Sequence, residues 1–90
     1  MPSIITYDVP SKHVELKEAL FKLGYKDQIS GTKCEVIYFP NTTLYHETKS
    51  PEQALKDVQA NCKHLSVKLY RCVATQWGPK WVAICGEDFK

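Results

Sequence analysis

Residues 3–9 read Ser-Ile-Ile-Thr-Tyr-Asp-Val, and Pro10 follows them. β-Branched and aromatic residues favour a strand, and proline ends it because it has no backbone N–H to donate. Alternation along a strand sends Ile5 and Tyr7 to one face and Ile4 to the other. Because both faces then carry apolar side chains, we predict that this is a central strand of the sheet.

A first helix is predicted from Ser11, as its N-cap, to about Leu23, with Gly24 as its C-terminal stop. Apolar residues recur at helical spacing and predict the face that packs on the sheet. They are Leu16, Ala19, Leu20 and Leu23.

A second helix has a stronger start signal. Ser50 is the predicted cap, Pro51 takes the first helical position, and Gln53 completes a capping box. The apolar stripe that follows consists of Ala54, Leu55, Val58, Cys62 and Leu65.

Runs of β-branched and aromatic residues predict four further strands, at residues 34–39, 43–47, 67–76 and 81–85. A polar linker is expected at 26–32 and a turn at 77–80. The chain is thus predicted to be a single α+β domain over residues 1–90. Its architecture is a ferredoxin-like βαββαβ sandwich with an extra C-terminal strand, in which two helices cover one face of an antiparallel sheet. The other face is left bare for a second subunit to cover, with Ile4 and Trp77 or Trp81 on it.

Composition limits the possible functions. The chain is 43% hydrophobic and 24% charged, as in ordinary globular proteins, and its net charge of +2 is too small to indicate nucleic-acid binding by itself. No apolar run approaches the roughly 18 residues that cross a bilayer, and the first residues do not resemble a signal peptide. We therefore expect a cytoplasmic protein without membrane contact, whose four widely spaced cysteines are thiols.

Asp8 is the leading candidate for chemistry, because a strand end holds its carboxylate rigidly while leaving it near solvent. Two such aspartates, one from each copy of a dimer packed through its sheets, would share one Mg²⁺, which prefers oxygen ligands and retained waters. The alternative is that Asp8 caps the first helix or starts a turn.

Each of the other candidate functional residues also has a purely structural explanation. Lys12, His13 and Lys17 concentrate positive charge that can contact phosphates, although a solvated helix face is the commoner explanation. His46 and Glu47, with His13, are acid–base candidates whose spacing does not bring them together. Cys62 and His64 form a C-x-H element, but a zinc site needs a second ligand pair, so Cys62 is predicted in the core and no zinc is expected. Tyr70, Trp77 and Trp81 are aromatics that can stack on bases, but no RNP-type sequence is present, and the pattern favours core or dimer packing for both tryptophans.

The run from Ile4 to Val9, the helix ending at Leu23-Gly24-Tyr25 and the start of the second helix at residues 50–54 resemble a known family. They are similar to the small CRISPR-associated endoribonucleases of the adaptation machinery, and more so to their SinR-like relatives outside CRISPR loci. The resemblance centres on Tyr7-Asp8 and implies a ferredoxin-like homodimer. It also implies that Asp8 is the metal-binding aspartate, paired across a two-fold axis.

Two functions follow as hypotheses. The first is a dimeric, Mg²⁺-dependent phosphodiesterase that acts on RNA or DNA, with Asp8 holding the metal and nearby lysines positioning the backbone. The second is a non-enzymatic interaction or regulatory module that uses the sheet face or a strand edge. A small-molecule sensor is a third option that rests on fold analogy alone.

Overall fold

A computed structural model describes residues 2–30 and 36–78 of the protein. Five strands and two helices along this part of the chain make an α+β domain. In chain order they are β1 (Ser3–Asp8), α1 (His13–Lys22), β2 (Gln28–Ser30), β3 (Val36–Tyr38), β4 (Thr43–His46), α2 (Pro51–His64) and β5 (Arg71–Gln76). β1, β4 and β5 form an antiparallel sheet in the order β4-β1-β5, and β2 pairs with β3 in a separate two-stranded sheet.

β1 is the middle strand of the three-stranded sheet, which confirms the prediction from its sequence. Ile5 pairs with Leu44 on one side and with Ala74 on the other. Ile5 and Tyr7 are buried while Thr6 is exposed, so the predicted two-residue alternation is present. The strand therefore fixes which side chains face the core and which face away.

Both helices pack on the face of the sheet that carries Ile5. Their fully buried side chains are Leu16 and Leu20 from α1 and Ala54 and Val58 from α2. Burying a leucine or valine side chain stabilises the fold by about 1.5–3 kcal/mol, so these contacts dominate the core. The arrangement of sheet and helices is compatible with the predicted ferredoxin-like class. The predicted strand at residues 81–85 lies outside the described residues.

The start of α2 follows its sequence signal. Ser50 is the N-cap, and its Oγ accepts a hydrogen bond of 3.2 Å from the backbone N–H of Gln53. Only half of the predicted capping box forms, because the Gln53 side-chain amide donates to Asp57 instead, at 2.9 Å. The cap alone satisfies one of the unpaired N–H groups of the first turn.

The start of α1 differs from the prediction, because the N-cap is Lys12 and not Ser11. Lys12 has a left-handed backbone (φ 59°, ψ 35°) and makes no side-chain cap. Its ammonium donates to the carbonyl of Leu65, 2.6 Å away at the C-terminal end of α2. A cation at that end of a helix interacts favourably with the helix dipole, and this distant contact offsets the strained backbone.

Two strand predictions needed correction. The segment at 26–32, expected to be a linker, contains β2, whose pairing with β3 no local pattern indicates. The strand predicted at 67–76 begins only at Arg71, although the Tyr70 N–H still donates to the Asp8 carbonyl at 2.9 Å. The strands predicted at 34–39 and 43–47 correspond to β3 and β4, with the first two residues of the former outside the described part. Among the described residues β3 pairs with β2 and does not join the sheet of β4, which the sequence did not predict.

Replacing Ser50 by alanine is expected to lower the free energy of unfolding by about 1 kcal/mol, because the cap is lost. Ser11→Ala is the matched control, since Ser11 is exposed and caps no helix, and it should change stability by less than about 0.5 kcal/mol. Urea unfolding followed by circular dichroism measures both. Equal losses in the two variants would contradict the assignment of the caps.

Candidate site on the uncovered sheet face

The face of the sheet opposite the helices carries exposed side chains in the part of the chain that the structure describes. Thr6 from β1 and Thr75 from β5 are exposed there, and Val73 is 61% exposed. Ile4 is half-buried on the same face. A sheet face with exposed side chains is a surface that another molecule can cover.

Asp8 and Arg71 face each other across neighbouring strands of this open face. The Nη2 and Nε atoms of Arg71 both donate to Oδ2 of Asp8, at 2.7 and 3.2 Å. The side chains are 43% exposed for Asp8 and 82% exposed for Arg71. Exposed ion pairs contribute at most about 1 kcal/mol, so this pair is not needed to hold the fold.

The remaining oxygen of the Asp8 carboxylate is available. Within residues 2–30 and 36–78, Oδ1 has no hydrogen-bond partner, and a shallow groove of about 260 Å³ runs beside it between Thr6 and Val73. The alternative that Asp8 caps α1 is wrong, because the N-cap of that helix makes no side-chain cap and Asp8 binds Arg71. The site thus presents a carboxylate and a guanidinium together.

This site supplies one of the two carboxylate ligands of the proposed magnesium site. Mg²⁺ is commonly bound by one or two carboxylates and several waters, and Asp8 supplies one such ligand with room for water beside it. The described part of the chain contains no group of three or more His, Cys, Asp or Glu side chains that could hold a metal. A second carboxylate would have to come from another molecule.

Tyr7, the other half of the motif, faces the core instead of the site. It is 4% exposed, and burial raises the pKa of its hydroxyl to about 12, with Cys62 and Cys72 adding smaller effects. The phenol is therefore protonated at neutral pH. Tyr7 and Asp8 are adjacent in β1, but Tyr7 lies in the core and Asp8 lies on the opposite face of the strand.

The predicted phosphate contacts lie on the other side of the sheet, along α1. Lys12 is engaged with Leu65, and Lys17 forms an ion pair with Asp27 at 3.3 Å. His13 is exposed and lines a groove of about 350 Å³ together with Lys17. The cation beside Asp8 is instead Arg71, which sequence reasoning missed because 62 residues separate the two in the chain and only strand pairing joins them.

His46 has a structural role. It is 8% exposed, its Nδ1 accepts from the backbone N–H groups of Thr48 and Lys49 at 3.1 and 3.3 Å, and its Nε2 lies 3.0 Å from the Leu23 carbonyl. Backbone N–H groups can only donate, so the ring proton is on Nε2, which donates to Leu23. Both nitrogens are used in these contacts, which hold the ring in place. Glu47, predicted with it, is exposed.

Asp57 is the centre of a second polar cluster that the sequence did not indicate. Its carboxylate accepts from Tyr25 Oη at 2.8 Å, from Lys49 Nζ at 2.5 Å and from Gln53. Burial alone would raise the pKa of Asp57, but the hydrogen bonds from Lys49, Gln53 and Tyr25 outweigh it and lower the pKa. Burial and the bond to Asp57 raise the pKa of Tyr25. The cluster joins α2 to the segment after α1 and stabilises the fold.

The described cysteines are core residues. Cys62 is 2% exposed, as predicted, and burial raises the pKa of its thiol. Burial, together with the nearby Cys62, raises the pKa of the Cys72 thiol to about 11. Thiols of this kind are weak nucleophiles and weak metal ligands at neutral pH.

Aromatic side chains collect at one end of the open face. Trp77 packs edge-to-face on Phe39 and Tyr45, with ring centroids 5.8 and 6.1 Å apart. Tyr70 lies at the other end of β5 and is 54% exposed, with the ammonium of Lys68 5.6 Å from the centroid of its ring. The rings near Trp77 pack on one another.

Comparison of the chain with protein-family models, with curated proteins and with solved structures finds no match. Neither helix of the described residues is long and apolar enough to cross a membrane.

Gly24→Ala is expected to lower the free energy of unfolding by about 2 kcal/mol. Gly24 has φ +97°, and an added Cβ would lie 2.9 Å from Nε2 of the buried His46 ring. The control is Gly78→Ala, where a Cβ meets nothing within 4 Å, and stability there should stay the same or rise by up to about 1 kcal/mol. Thermal and urea unfolding measure the difference, and similar values for both variants would contradict the His46 contact.

The lowered pKa of Asp57 predicts a loss of stability in acid. A carboxyl whose pKa is lower in the folded than in the unfolded state contributes stability above its unfolded pKa. That contribution disappears as pH falls through the folded pKa, so the free energy of unfolding should decrease below about pH 4. Asp57→Asn should be less stable at pH 7 and show a flatter pH dependence below pH 4, and Tyr25→Phe, which removes one donor, should show a smaller flattening. An Asp57→Asn variant with the full wild-type acid dependence would contradict this assignment.

Proposed function

We propose that the protein is a homodimer that binds RNA or DNA and hydrolyses phosphodiester bonds with Mg²⁺ held by Asp8 of both copies. The observation that carries the proposal is the position of Asp8, half-exposed on the uncovered sheet face with Oδ1 unengaged within the described residues. The order β4-β1-β5, with a helix after β1 and another after β4, supports a ferredoxin-like βαββαβ arrangement.

The open face supports dimerisation through the sheets. A domain of this size buries only about 60–65% of its unfolded surface, so covering Val73 and its neighbours adds stability that the single chain lacks. A two-fold interface places the same patch on both copies. With the axis near the end of β1, Asp8 meets the partner subunit's Asp8, and the two carboxylates supply the ligands that one copy lacks.

Each group then has a defined part in the chemistry. A bound Mg²⁺ would supply charge stabilisation at a phosphate and lower the pKa of bound water. Asp8 would hold the metal, and the guanidinium of Arg71 would bind a phosphate oxygen. Lys12, His13 and Lys17 lie along α1 on the other side of the sheet, so a contact between them and nucleic acid would be separate from the Asp8 site.

The resemblance to the SinR-like relatives of the CRISPR-associated endoribonucleases leads to the same proposal. Their implied metal ligand corresponds to Asp8, and the half-exposed position of this side chain on the sheet face suits that role. The neighbouring Tyr7 anchors the strand in the core, which holds the carboxylate in place. The chain is thereby proposed to be a distant member of this group.

A second candidate is a non-enzymatic interaction module that uses the same face to bind a protein. Arg71 already neutralises Asp8, and the exposed Val73 offers an apolar contact. Both candidates need the open face to be covered. They differ in whether Asp8 binds a cation and whether any nucleic acid is cleaved.

The test is cleavage of single- and double-stranded RNA and DNA with Mg²⁺ and with EDTA, alongside the molar mass in solution. The wild type is expected to be a dimer whose cleavage needs Mg²⁺. Asp8→Asn should lower the rate by roughly 100-fold or more, the equivalent of losing about 3 kcal/mol of transition-state stabilisation. Glu52→Gln, an exposed carboxylate replaced in the first turn of α2, is the matched control and should keep the wild-type rate.

Two results would contradict the enzymatic proposal. Cleavage that is unchanged in Asp8→Asn would remove Asp8 from the chemistry. A dimer that cleaves none of the four substrates in Mg²⁺ would favour the interaction module.

A further inference from the structure

We propose that Arg71 is an internal counter-ion of the site, which holds Asp8 while no divalent cation is bound and moves to a nucleic-acid phosphate when one is. This inference rests on the proposed function, because it assumes that Asp8 binds the cation. It assigns a positioning role to a residue that neither the sequence motif nor the resemblance includes. It also makes cation binding and nucleic-acid binding depend on each other.

The geometry of the ion pair is the first support. A guanidinium commonly pairs with both oxygens of a carboxylate through two parallel hydrogen bonds. Arg71 instead directs Nε and Nη2 to the single atom Oδ2 of Asp8, at 3.2 and 2.7 Å. Oδ1 stays open to an incoming cation, while the positive charge of Arg71 beside it opposes that cation. Cation binding therefore favours conformations in which Arg71 has left Asp8.

The freedom of Arg71 to leave is the second support. Its side chain is 82% exposed, on a face that no helix of the described residues covers. The lysines in the other described ion pairs are held more closely: Lys17 is 20% exposed and Lys49 is 25% exposed. Lys49 is fixed further by lying over the Tyr25 ring. Arg71 is thus the cation of these pairs that can change partner at little cost.

The chemistry of Arg71 identifies its second partner. Arginine binds phosphate oxygens through two N–H groups in a planar fork, which a lysine ammonium does not reproduce. Around Asp8 the open face offers threonine and valine side chains, Thr6 and Val73, which do not distinguish bases. A contact to the sugar–phosphate backbone therefore fits Arg71 better than a contact to a base edge.

The experiment first measures Mn²⁺ binding to the full chain without nucleic acid, by electron paramagnetic resonance. Arg71→Gln removes the competing charge and should bind Mn²⁺ roughly fivefold more tightly than the wild type, the equivalent of about 1 kcal/mol for one exposed ion pair. Arg71→Lys keeps the charge and should stay close to the wild type. Asp8→Asn should lose binding.

The second measurement is the affinity for a single-stranded oligonucleotide with a non-hydrolysable backbone, in Mg²⁺ and in EDTA. In Mg²⁺, Arg71→Gln should bind more weakly, and the slope of log K against log salt concentration should fall by about 0.7, as for one lost phosphate contact. In EDTA the wild type and Arg71→Gln should differ less, because Asp8 then holds Arg71. A purely structural role of Arg71 would not change the two affinities in opposite directions.

The outcomes separate this inference from the proposed function. If the wild type binds Mn²⁺ through Asp8 but Arg71→Gln binds it no more tightly, the role of Arg71 is wrong and the metal site stands. If neither the wild type nor any variant with Asp8 binds Mn²⁺, the proposed function itself is wrong. Circular dichroism and urea unfolding confirm that each variant is folded.

Discussion

Antiparallel pairing of β1 with both β4 and β5 is the constraint on which the rest of the structure depends. Side chains alternate across a strand, so a slip of one residue would move Ile5 and Tyr7 to the open face and bury Asp8 against the helices. Burying an unpaired carboxylate in an apolar core costs far more than the fold has to spare. The register that builds the core is therefore the same register that presents Asp8 and Arg71 together on the surface.

Features with local signals were predictable from the sequence. The alternation of β1 and the Ser50-Pro51 start of α2 each depend on neighbouring residues, and the structure contains both. Features set by distant contacts were not predictable. The cap of α1 is Lys12, whose ammonium donates a hydrogen bond to the carbonyl of Leu65, far along the chain. β2 likewise forms because β3 pairs with it.

The candidate site divides in the same way. The strand position of Asp8 was readable, since a polar residue at the end of a β-branched run is a local pattern. Its partner Arg71 was not, because the pairing of β1 with β5 closes a long stretch of chain that includes both helices. The sequence made His46 a candidate acid or base. In the structure its ring nitrogens bind backbone groups of Leu23, Thr48 and Lys49, which depends on two chain segments meeting in space.

The two ion pairs of Asp57 and Asp8 differ in burial, and therefore in the free energy needed to separate their partners. Asp57 is enclosed, with a side chain 12% exposed and three donors on its carboxylate, so separating it from Lys49 would leave a poorly solvated charge. Separating Asp8 from Arg71 costs little, because both side chains are exposed and water can solvate each of them. In the proposed arrangement, a cation that binds Asp8 releases Arg71 for a phosphate. A phosphate that binds Arg71 in turn frees Asp8 for the cation. Thermodynamic linkage then requires the cation to strengthen nucleic-acid binding by the same factor by which nucleic acid strengthens cation binding.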